Sequence, residues 1–103
     1  MQFFVYILYS PKFTRTYVGQ AEDVVLRLKQ HNGGRVRSTK AFAPWQVIHA
    51  EACATRSEAM ARERWFKSSS GRRRIREILE ETNGLSVSTV GRDEIPSRDS
   101  GTD

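Results

Sequence analysis

Glu63 is the residue whose position most directly suggests chemistry, because it is the one carboxylate in the basic stretch 60–74. On a helix with about 100° between successive residues, Glu63 falls inside the apolar arc that holds Ala59 and Phe66. A carboxylate at the edge of a core needs a cationic partner or a metal ion. A helical ion pair with Lys67 would supply roughly 0.3–0.5 kcal/mol, but it does not explain why the carboxylate points inward. The position therefore predicts a role for Glu63 beyond that ion pair. We expect its carboxylate to point toward the face where Tyr6, Tyr17, Arg27 and His31 gather.

Two tyrosines are predicted to share one face of an antiparallel hairpin. If Tyr9 pairs with Thr14 across a short loop, Tyr6 stands opposite Tyr17, with Cβ atoms about 4.5–5.5 Å apart. The sequence then leaves two interpretations open: a cross-strand aromatic pair that only packs, or a pair of phenol groups at a site.

Arg27 and His31 form an i, i+4 pair at the edge of an apolar helix arc made by Val24, Val25 and Leu28. We therefore expect both side chains near the sheet rather than fully in solvent. Each also has a purely structural interpretation. Arg27 could extend along the surface to reach water, and His31 could interact favourably with the helix C-terminus.

The elements that must position these residues follow from hydrophobic patterns and from start and stop signals. The order ββαβαα predicts an α/β (α+β) domain, in which a three-stranded, mainly antiparallel sheet is flanked by helices. "WQVIHAEACA" is expected to place Trp45, Val47, His49 and Glu51 on one face. "SSSG" is expected to break the last two helices apart. The predicted strands are 3–9, 14–19 and 45–54, and the predicted helices are 22–32, from Thr55 or Ser57 to about Lys67, and 72–81.

Composition bounds the class of protein. The 103 residues suffice for one domain, and the net charge is +5 with a pI near 9.9. Residues 1–81 hold 15 Lys/Arg against 8 Asp/Glu, whereas 82–103 hold 2 against 4. A basic body favours a polyanionic partner, nucleic acid before membrane, although solubility alone is the plainer explanation. We therefore expect a domain over 1–81 and a disordered tail over 82–103.

The single cysteine, Cys53, excludes an intrachain disulfide and a Cys-rich zinc site. No apolar run approaches the roughly 20 residues of a membrane span, and "MQFFVYILYS" lacks the features of a signal peptide. The expected location is the cytoplasm. The sequence gives no indication of the oligomeric state.

Two basic segments, 33–40 and 68–74, are predicted to contact phosphates: their glycines let backbone N–H groups approach, and their arginines supply sequence-independent affinity. The alternative is that both are solvated loops. Neither segment has the spaced base-reading residues that sequence-specific recognition needs. The predicted nucleic-acid-binding residues are Arg35, Arg37, Lys40, Lys67, Arg72, Arg73 and Arg74.

Taken in order, "FVY" with Tyr6, "YVG" at 17–19, Arg27, His31 and the inward Glu63 resemble the GIY-YIG nuclease superfamily over about residues 3–79. The chain is most similar to the small single-domain bacterial type (UPF0213-like), whose second helix reads like "REKxLK" before a glycine and basic residues. "RERWFKSSSGRRRI" follows that pattern.

The resemblance implies a GIY-YIG endonuclease-like fold and a hydrolase that cuts DNA phosphodiester bonds with one divalent metal, Mg²⁺ or in substitution Mn²⁺. It implies that Glu63 is the sole protein ligand to the metal and that Arg27 neutralises charge on the phosphate. Tyr6 or Tyr17 would activate the attacking water, and His31 would bind phosphate or assist the base. A tyrosine needs nearby positive charge to act as a base at neutral pH.

Three positions depart from the family pattern. Phe4 and Val5 replace the Gly and Ile of the first motif, Gln20 stands where many members have lysine, and Ile75 stands where some have asparagine. With no separate recognition module visible, we expect branched or damaged DNA, as in DNA repair, rather than a defined sequence. The alternatives are a non-catalytic nucleic-acid-binding module on the same fold and a protein-interaction domain whose contacts are Trp45, Trp65 and the tail.

Overall fold

The computed structural model describes residues 2–83. The predicted disordered tail is wrong for residues 82 and 83, which belong to the last helix, and the rest of that tail lies outside the described residues. The predicted order ββαβαα is confirmed. Within 2–83, none of the helices has the length and apolar character that a membrane crossing needs. The strands are β1 (Phe3–Ser10), β2 (Arg15–Ala21) and β3 (Gln46–Cys53); the helices are α1 (Val24–Asn32), α2 (Arg56–Phe66) and α3 (Ser69–Asn83), with a 3-10 helix at Lys40–Phe42.

Strand β1 is central in an antiparallel sheet of order β2-β1-β3. Its middle residues are buried on both faces, as a continuous apolar run predicts. Val5 and Ile7 pack in one cluster with Phe66 of α2 and Ile75 of α3. The opposite face of β1 carries a second cluster, which contains Tyr6, Leu8 and Trp45 together with partly buried Val24 and Leu28 of α1. The sheet therefore separates α1 from α2 and α3.

The hairpin register differs from the predicted one. Tyr6 pairs with Gly19, and Tyr17 pairs with Leu8, because β1 continues to Ser10. The loop therefore comprises residues 11–14 and ends at Thr14, whose φ of 54° lies in the left-handed region. Tyr17 and Gly19 are two residues apart, so the two tyrosines still share a face as diagonal neighbours.

Strand β3 contains an irregularity that the simple alternation did not predict. His49 pairs with Ile7 and Val47 pairs with Leu8, so Ile48 is the extra residue of a β-bulge. Because adjacent residues of β1 point to opposite faces, Val47 and His49 do too. The predicted common face for Trp45, Val47, His49 and Glu51 is therefore wrong.

Side-chain caps fix the starts of two helices. The Asp23 carboxylate accepts a hydrogen bond from the Leu26 N–H at the start of α1. At the start of α2, the cap is Thr55 rather than Ser57: its hydroxyl accepts from the Glu58 N–H. The prediction that Val25 belongs to the buried apolar arc of α1 is wrong, because Val25 is 68% exposed.

The junction of α2 and α3 is tighter than predicted, because only residues 67–68 separate the helices. Gly71 lies inside α3 and is buried. A Cβ at this position would overlap the Trp65 carbonyl oxygen and the Phe66 backbone. At the expected break "SSSG", the two helices therefore approach closely, and the glycine permits this approach. Because Gly71 is buried in that contact, it is not available to bind a phosphate.

Candidate active site

A buried hydrogen-bond chain links β1, α1 and the following loop. The Tyr6 hydroxyl lies 2.9 Å from His31 Nε2, and His31 Nδ1 lies 2.8 Å from Thr39 Oγ1. Tyr6, His31 and Thr39 are each at most 1% exposed. These two hydrogen bonds therefore hold the His31 ring at both nitrogens. Through Thr39, they also attach the basic segment 33–40 to the sheet.

The hydrogen bond that Thr39 makes at the end of this series indicates which atoms of the series are donors. The Thr39 hydroxyl donates to the Val36 carbonyl at 3.4 Å, so its oxygen accepts a hydrogen bond from Nδ1–H of His31. Nε2 then carries the lone pair and accepts the Tyr6 O–H. In this assignment, His31 accepts a hydrogen bond from the Tyr6 hydroxyl.

Tyr17 is the more accessible of the two tyrosines. Its ring centroid lies 6.4 Å from that of Tyr6 and 5.0 Å from that of His31, and its side chain is partly exposed whereas Tyr6 is 1% exposed. Gly19 makes room for both rings, since a Cβ there would lie 2.7 Å from Tyr6 Oη and 2.9 Å from Tyr17 Cε2. The glycine of "YVG" therefore allows the two phenol rings to approach the strand.

The Glu63 carboxylate is held between a strand and its own helix. Oε1 accepts a hydrogen bond from Gln20 Nε2 at 2.9 Å, and Oε2 pairs with Lys67 Nζ at 3.0 Å. The Gln20 amide oxygen is buried and makes no hydrogen bond within the described residues. The i, i+4 ion pair considered from the sequence is therefore present, and Gln20 is a second partner that the sequence did not reveal.

The predicted residues are divided by the edge strand β2. Tyr17 and Gly19 point to the α1 side with Tyr6, whereas Gln20 pairs with Val5 and points to the α2 side. Glu63 was expected to point toward the tyrosine face, and this is wrong, because α2 covers the other face of the sheet. The two groups of residues meet through consecutive residues of β2.

Arg27 lines a cavity of about 430 Å³, which Gln20 also lines. The Arg27 guanidinium donates to Gln30 Oε1 at 2.7 Å. Gln20 thus connects the cavity that holds Arg27 with the carboxylate of Glu63. Within residues 2–83, no group of three or more His, Cys, Asp or Glu could hold a metal ion, so a metal here would rely on Glu63 as its carboxylate.

The predicted phosphate-binding residues differ in their exposure and in whether they already form ion pairs. Three of them, Arg35, Arg37 and Lys40, are exposed in the loop that Thr39 anchors, and Arg73 is exposed on α3. Arg74, by contrast, pairs with Glu77 and Glu81 on its own helix. Lys67 is shared with Glu63, and Arg72 is half-buried.

The tryptophans do not form a common surface. Trp45 is 4% exposed, and its indole N–H donates to the Thr39 carbonyl at 2.9 Å. Trp65 is 36% exposed and lies against the Arg62 guanidinium, 4.3 Å from the ring centroid. Because Trp45 is buried, it is not a contact residue of the protein-interaction domain considered as an alternative.

Gln20 had one signal in the sequence, because it stands after "YVG" where many members of the resembled family have lysine, but that signal did not indicate its contact with Glu63. Thr39 gave no comparable signal. It lies in a loop without periodicity, and its role depends on a contact with His31, eight residues away.

Comparisons with known proteins identify the family to which the sequence is similar. The family model described as the GIY-YIG catalytic domain matches residues 2–76. The UPF0213 protein SSP2268 of Staphylococcus saprophyticus is 35% identical over 65 residues, which cover 62% of this chain and 79% of the relative. The UPF0213 protein HQ_3675A of Haloquadratum walsbyi is 40% identical over 53 residues, which cover 50% of this chain and 60% of the relative. No solved structure gives a significant match.

Proposed function

The chain belongs to the GIY-YIG catalytic domain family, a family of nucleases, and we propose that it is a metal-dependent endonuclease that hydrolyses DNA phosphodiester bonds. The observation that supports this proposal best is the position of Gln20. From the end of β2, it donates to Glu63 on one side and lines the cavity of Arg27 on the other. Gly19, the preceding residue, contacts the tyrosine pair. Gly19 and Gln20 thus connect, across the edge strand, the tyrosine pair with Arg27 and Glu63.

The donor atoms around Glu63 fit a hard divalent cation such as Mg²⁺. The carboxylate supplies anionic oxygen, and the buried amide oxygen of Gln20 lacks a hydrogen bond among the described residues. One carboxylate and one amide leave the other coordination positions to water and phosphate, as Mg²⁺ prefers. The chemistry that such an ion supplies when bound is polarisation of the phosphodiester and stabilisation of the leaving oxygen.

We assign the role of general base to Tyr17 and a positioning role to Tyr6 and His31. A base must reach the water molecule from which it takes a proton, and Tyr17 is partly exposed whereas Tyr6 and His31 are buried. Hydrogen bonding holds Tyr6 and His31 in place, and both rings pack near the Tyr17 ring. Arg27 would neutralise charge that develops on the phosphate.

The proposed substrate is DNA recognised by its structure or its damage. The available cations are in the loop 35–40 and on α3, where they suit sequence-independent phosphate contacts. We also propose that the protein acts in the cytoplasm, the compartment expected for a chain with a single cysteine.

One observation favours the second candidate, a non-catalytic nucleic-acid-binding module. Lys67 already pairs with Glu63 at 3.0 Å, so the carboxylate has a cation partner without any metal. A binding module would need the exposed arginines but no accessible carboxylate.

The deciding experiment compares the full chain with Glu63→Gln on single-stranded, duplex, flap and branched DNA, with Mg²⁺ or Mn²⁺. Glu77→Gln is the matched control, since it removes an exposed carboxylate on α3. We expect Glu63→Gln to lower the cutting rate by at least about 100-fold and to leave DNA binding intact. Cutting that survives in Glu63→Gln would remove the site assignment. Binding by all three proteins with cutting by none would establish the second candidate.

A further inference from the structure

The cavity beside Glu63 carries two guanidinium groups, of which only Arg27 belongs to the predicted site. Arg56, the first residue of α2, also lines it. The Arg56 guanidinium lies 5.6 Å from the centroid of the Phe3 ring, and Arg27 donates to Gln30. Among residues 2–83, neither guanidinium has a carboxylate partner. Two such cations around one cavity indicate an anionic ligand group.

The rest of the lining is not that of a simple anion site. It includes an aromatic ring, Phe3, and two carboxylate residues, Glu22 and Asp23. A ligand that matches this mixture carries an anionic group, a flat apolar face and N–H donors. A nucleotide has all three: its phosphate suits the guanidiniums, and its base offers both a face for stacking and amino groups.

The size of the cavity limits how a nucleotide could enter. Its volume of about 430 Å³ lies near the lower end of the range of roughly 300–1,000 Å³ for pockets that hold small molecules. A base that is stacked and paired in a duplex is not free to lie against the wall of a cavity, whereas an unpaired base can leave the stack at low cost.

The cavity also lies next to the proposed chemistry, because Gln20 both lines it and donates to Glu63. We infer that this cavity binds one unpaired nucleotide adjacent to the phosphodiester that is cut, with its phosphate on Arg56 and Arg27 and its base against Phe3. The inference rests on the proposed nuclease function and adds the substrate class: DNA with a bulged, flapped or otherwise unpaired nucleotide.

The test measures binding by fluorescence anisotropy in EDTA, so that no DNA is cut. The full chain is titrated with three labelled duplexes of the same length: one fully paired, one with a single bulged nucleotide, and one whose bulge is abasic. We expect about tenfold tighter binding to the bulged duplex, in the range that one base–aromatic stack contributes. The abasic bulge should bind no better than paired DNA.

Two variants assign the preference to the cavity. Arg56→Gln and Phe3→Leu should each remove most of it, and Phe3→Leu keeps apolar volume so that the fold is preserved. Arg64→Gln, which removes an exposed cation from the same helix, should retain the preference. Thermal unfolding checks that all variants are folded.

Equal binding of bulged and paired DNA by the full chain, or an unchanged preference in both variants, overturns the inference. The nuclease proposal would survive either result, because it is measured separately through Glu63-dependent cutting. Absence of binding to any of the three duplexes, together with absence of cutting, would overturn both.

Discussion

Gln20 donates its side-chain amide to Oε1 of Glu63 at 2.9 Å, from an edge strand to a helix. The contact aligns the carboxylate and leaves the Gln20 amide oxygen buried beside it. A lysine at this position would add a second ammonium group near Glu63, where Lys67 already lies 3.0 Å away. Because the Gln20 amide is neutral, Lys67 is the one cation that pairs with this carboxylate among residues 2–83.

This arrangement predicts opposite effects on cation affinity. Gln20→Ala should weaken Mn²⁺ binding about tenfold, because groups that orient a metal-binding carboxylate contribute at least that much. Lys67→Ala should strengthen it about threefold, since it removes a competing charge of the kind that partly exposed ion pairs supply. Isothermal titration calorimetry with Mn²⁺ measures both.

Arg64→Ala is the control, because it removes an exposed positive charge from α2 without contacting Glu63. It should change the affinity less than Lys67→Ala does. Weaker Mn²⁺ binding in Lys67→Ala would show that Lys67 supports the cation rather than competing with it.

Local signals were sufficient to predict the elements of this fold. A helix cap such as Thr55 and a buried strand such as β1 depend on residues within a few positions in sequence. The inward direction of Glu63 was predictable for the same reason, since it follows from the period of one helix. Its partner Lys67 was predictable from a spacing of four residues.

The relationships between elements were less predictable. The hairpin register depended on the left-handed conformation of Thr14, and the face reversal in β3 depended on a bulge at Ile48. Neither has an obvious local signal in the sequence. Glu63 lies on the other face of the sheet from Tyr6 because of these pairings and because α2 packs on that face. The inward direction of Glu63 on its helix was therefore predicted correctly, but the face of the sheet was not.

Substitution of Tyr6 should mainly affect stability, whereas substitution of Tyr17 should mainly affect catalysis. Tyr6→Phe removes the hydroxyl group from a buried hydrogen-bond chain, so we expect a loss of about 1–3 kcal/mol in the free energy of unfolding. Tyr17→Phe should change that free energy by less than about 0.5 kcal/mol and lower the cutting rate at least about 100-fold. Urea unfolding and single-turnover cutting measure the two effects. A larger loss of cutting in Tyr6→Phe than in Tyr17→Phe would reverse the assignment of the base.

The two buried glycines should respond differently to alanine. At Gly71, a Cβ would overlap the backbone of Trp65 and Phe66, which cannot move aside, so Gly71→Ala should cost about 3 kcal/mol. At Gly19, the obstructing atoms belong to tyrosine rings that can shift, so Gly19→Ala should cost about 1–2 kcal/mol. Ser70→Ala, at an exposed position of α3, is the control for helix propensity. Equal costs for the two glycines would contradict this distinction.

A separate ion-pair network connects β3 to α2. Arg62 binds the Glu51 carboxylate through two nitrogens, at 2.7 and 3.1 Å, and His49 Nε2 lies 2.8 Å from Glu51 Oε2. Hydrogen bonding from Arg62 lowers the pKa of Glu51 below its ordinary value of 4.5, against the opposing effect of burial. Because the folded-state pKa is depressed, the stability that this carboxylate contributes is complete above about pH 4.5.

That contribution should be lost as the pH falls through the folded-state pKa of Glu51, when the carboxylate becomes protonated. Glu51→Gln removes the titration, so its free energy of unfolding should be lower by about 0.5–1 kcal/mol at neutral pH. The difference from the unmodified protein should shrink toward zero as the pH falls below 4.5 and through the folded-state pKa of Glu51. Urea unfolding at a series of pH values measures both curves, with Glu22→Gln as the control at an exposed carboxylate. A difference that persists unchanged under acid conditions would show that Glu51 stabilises the protein through its shape rather than its charge.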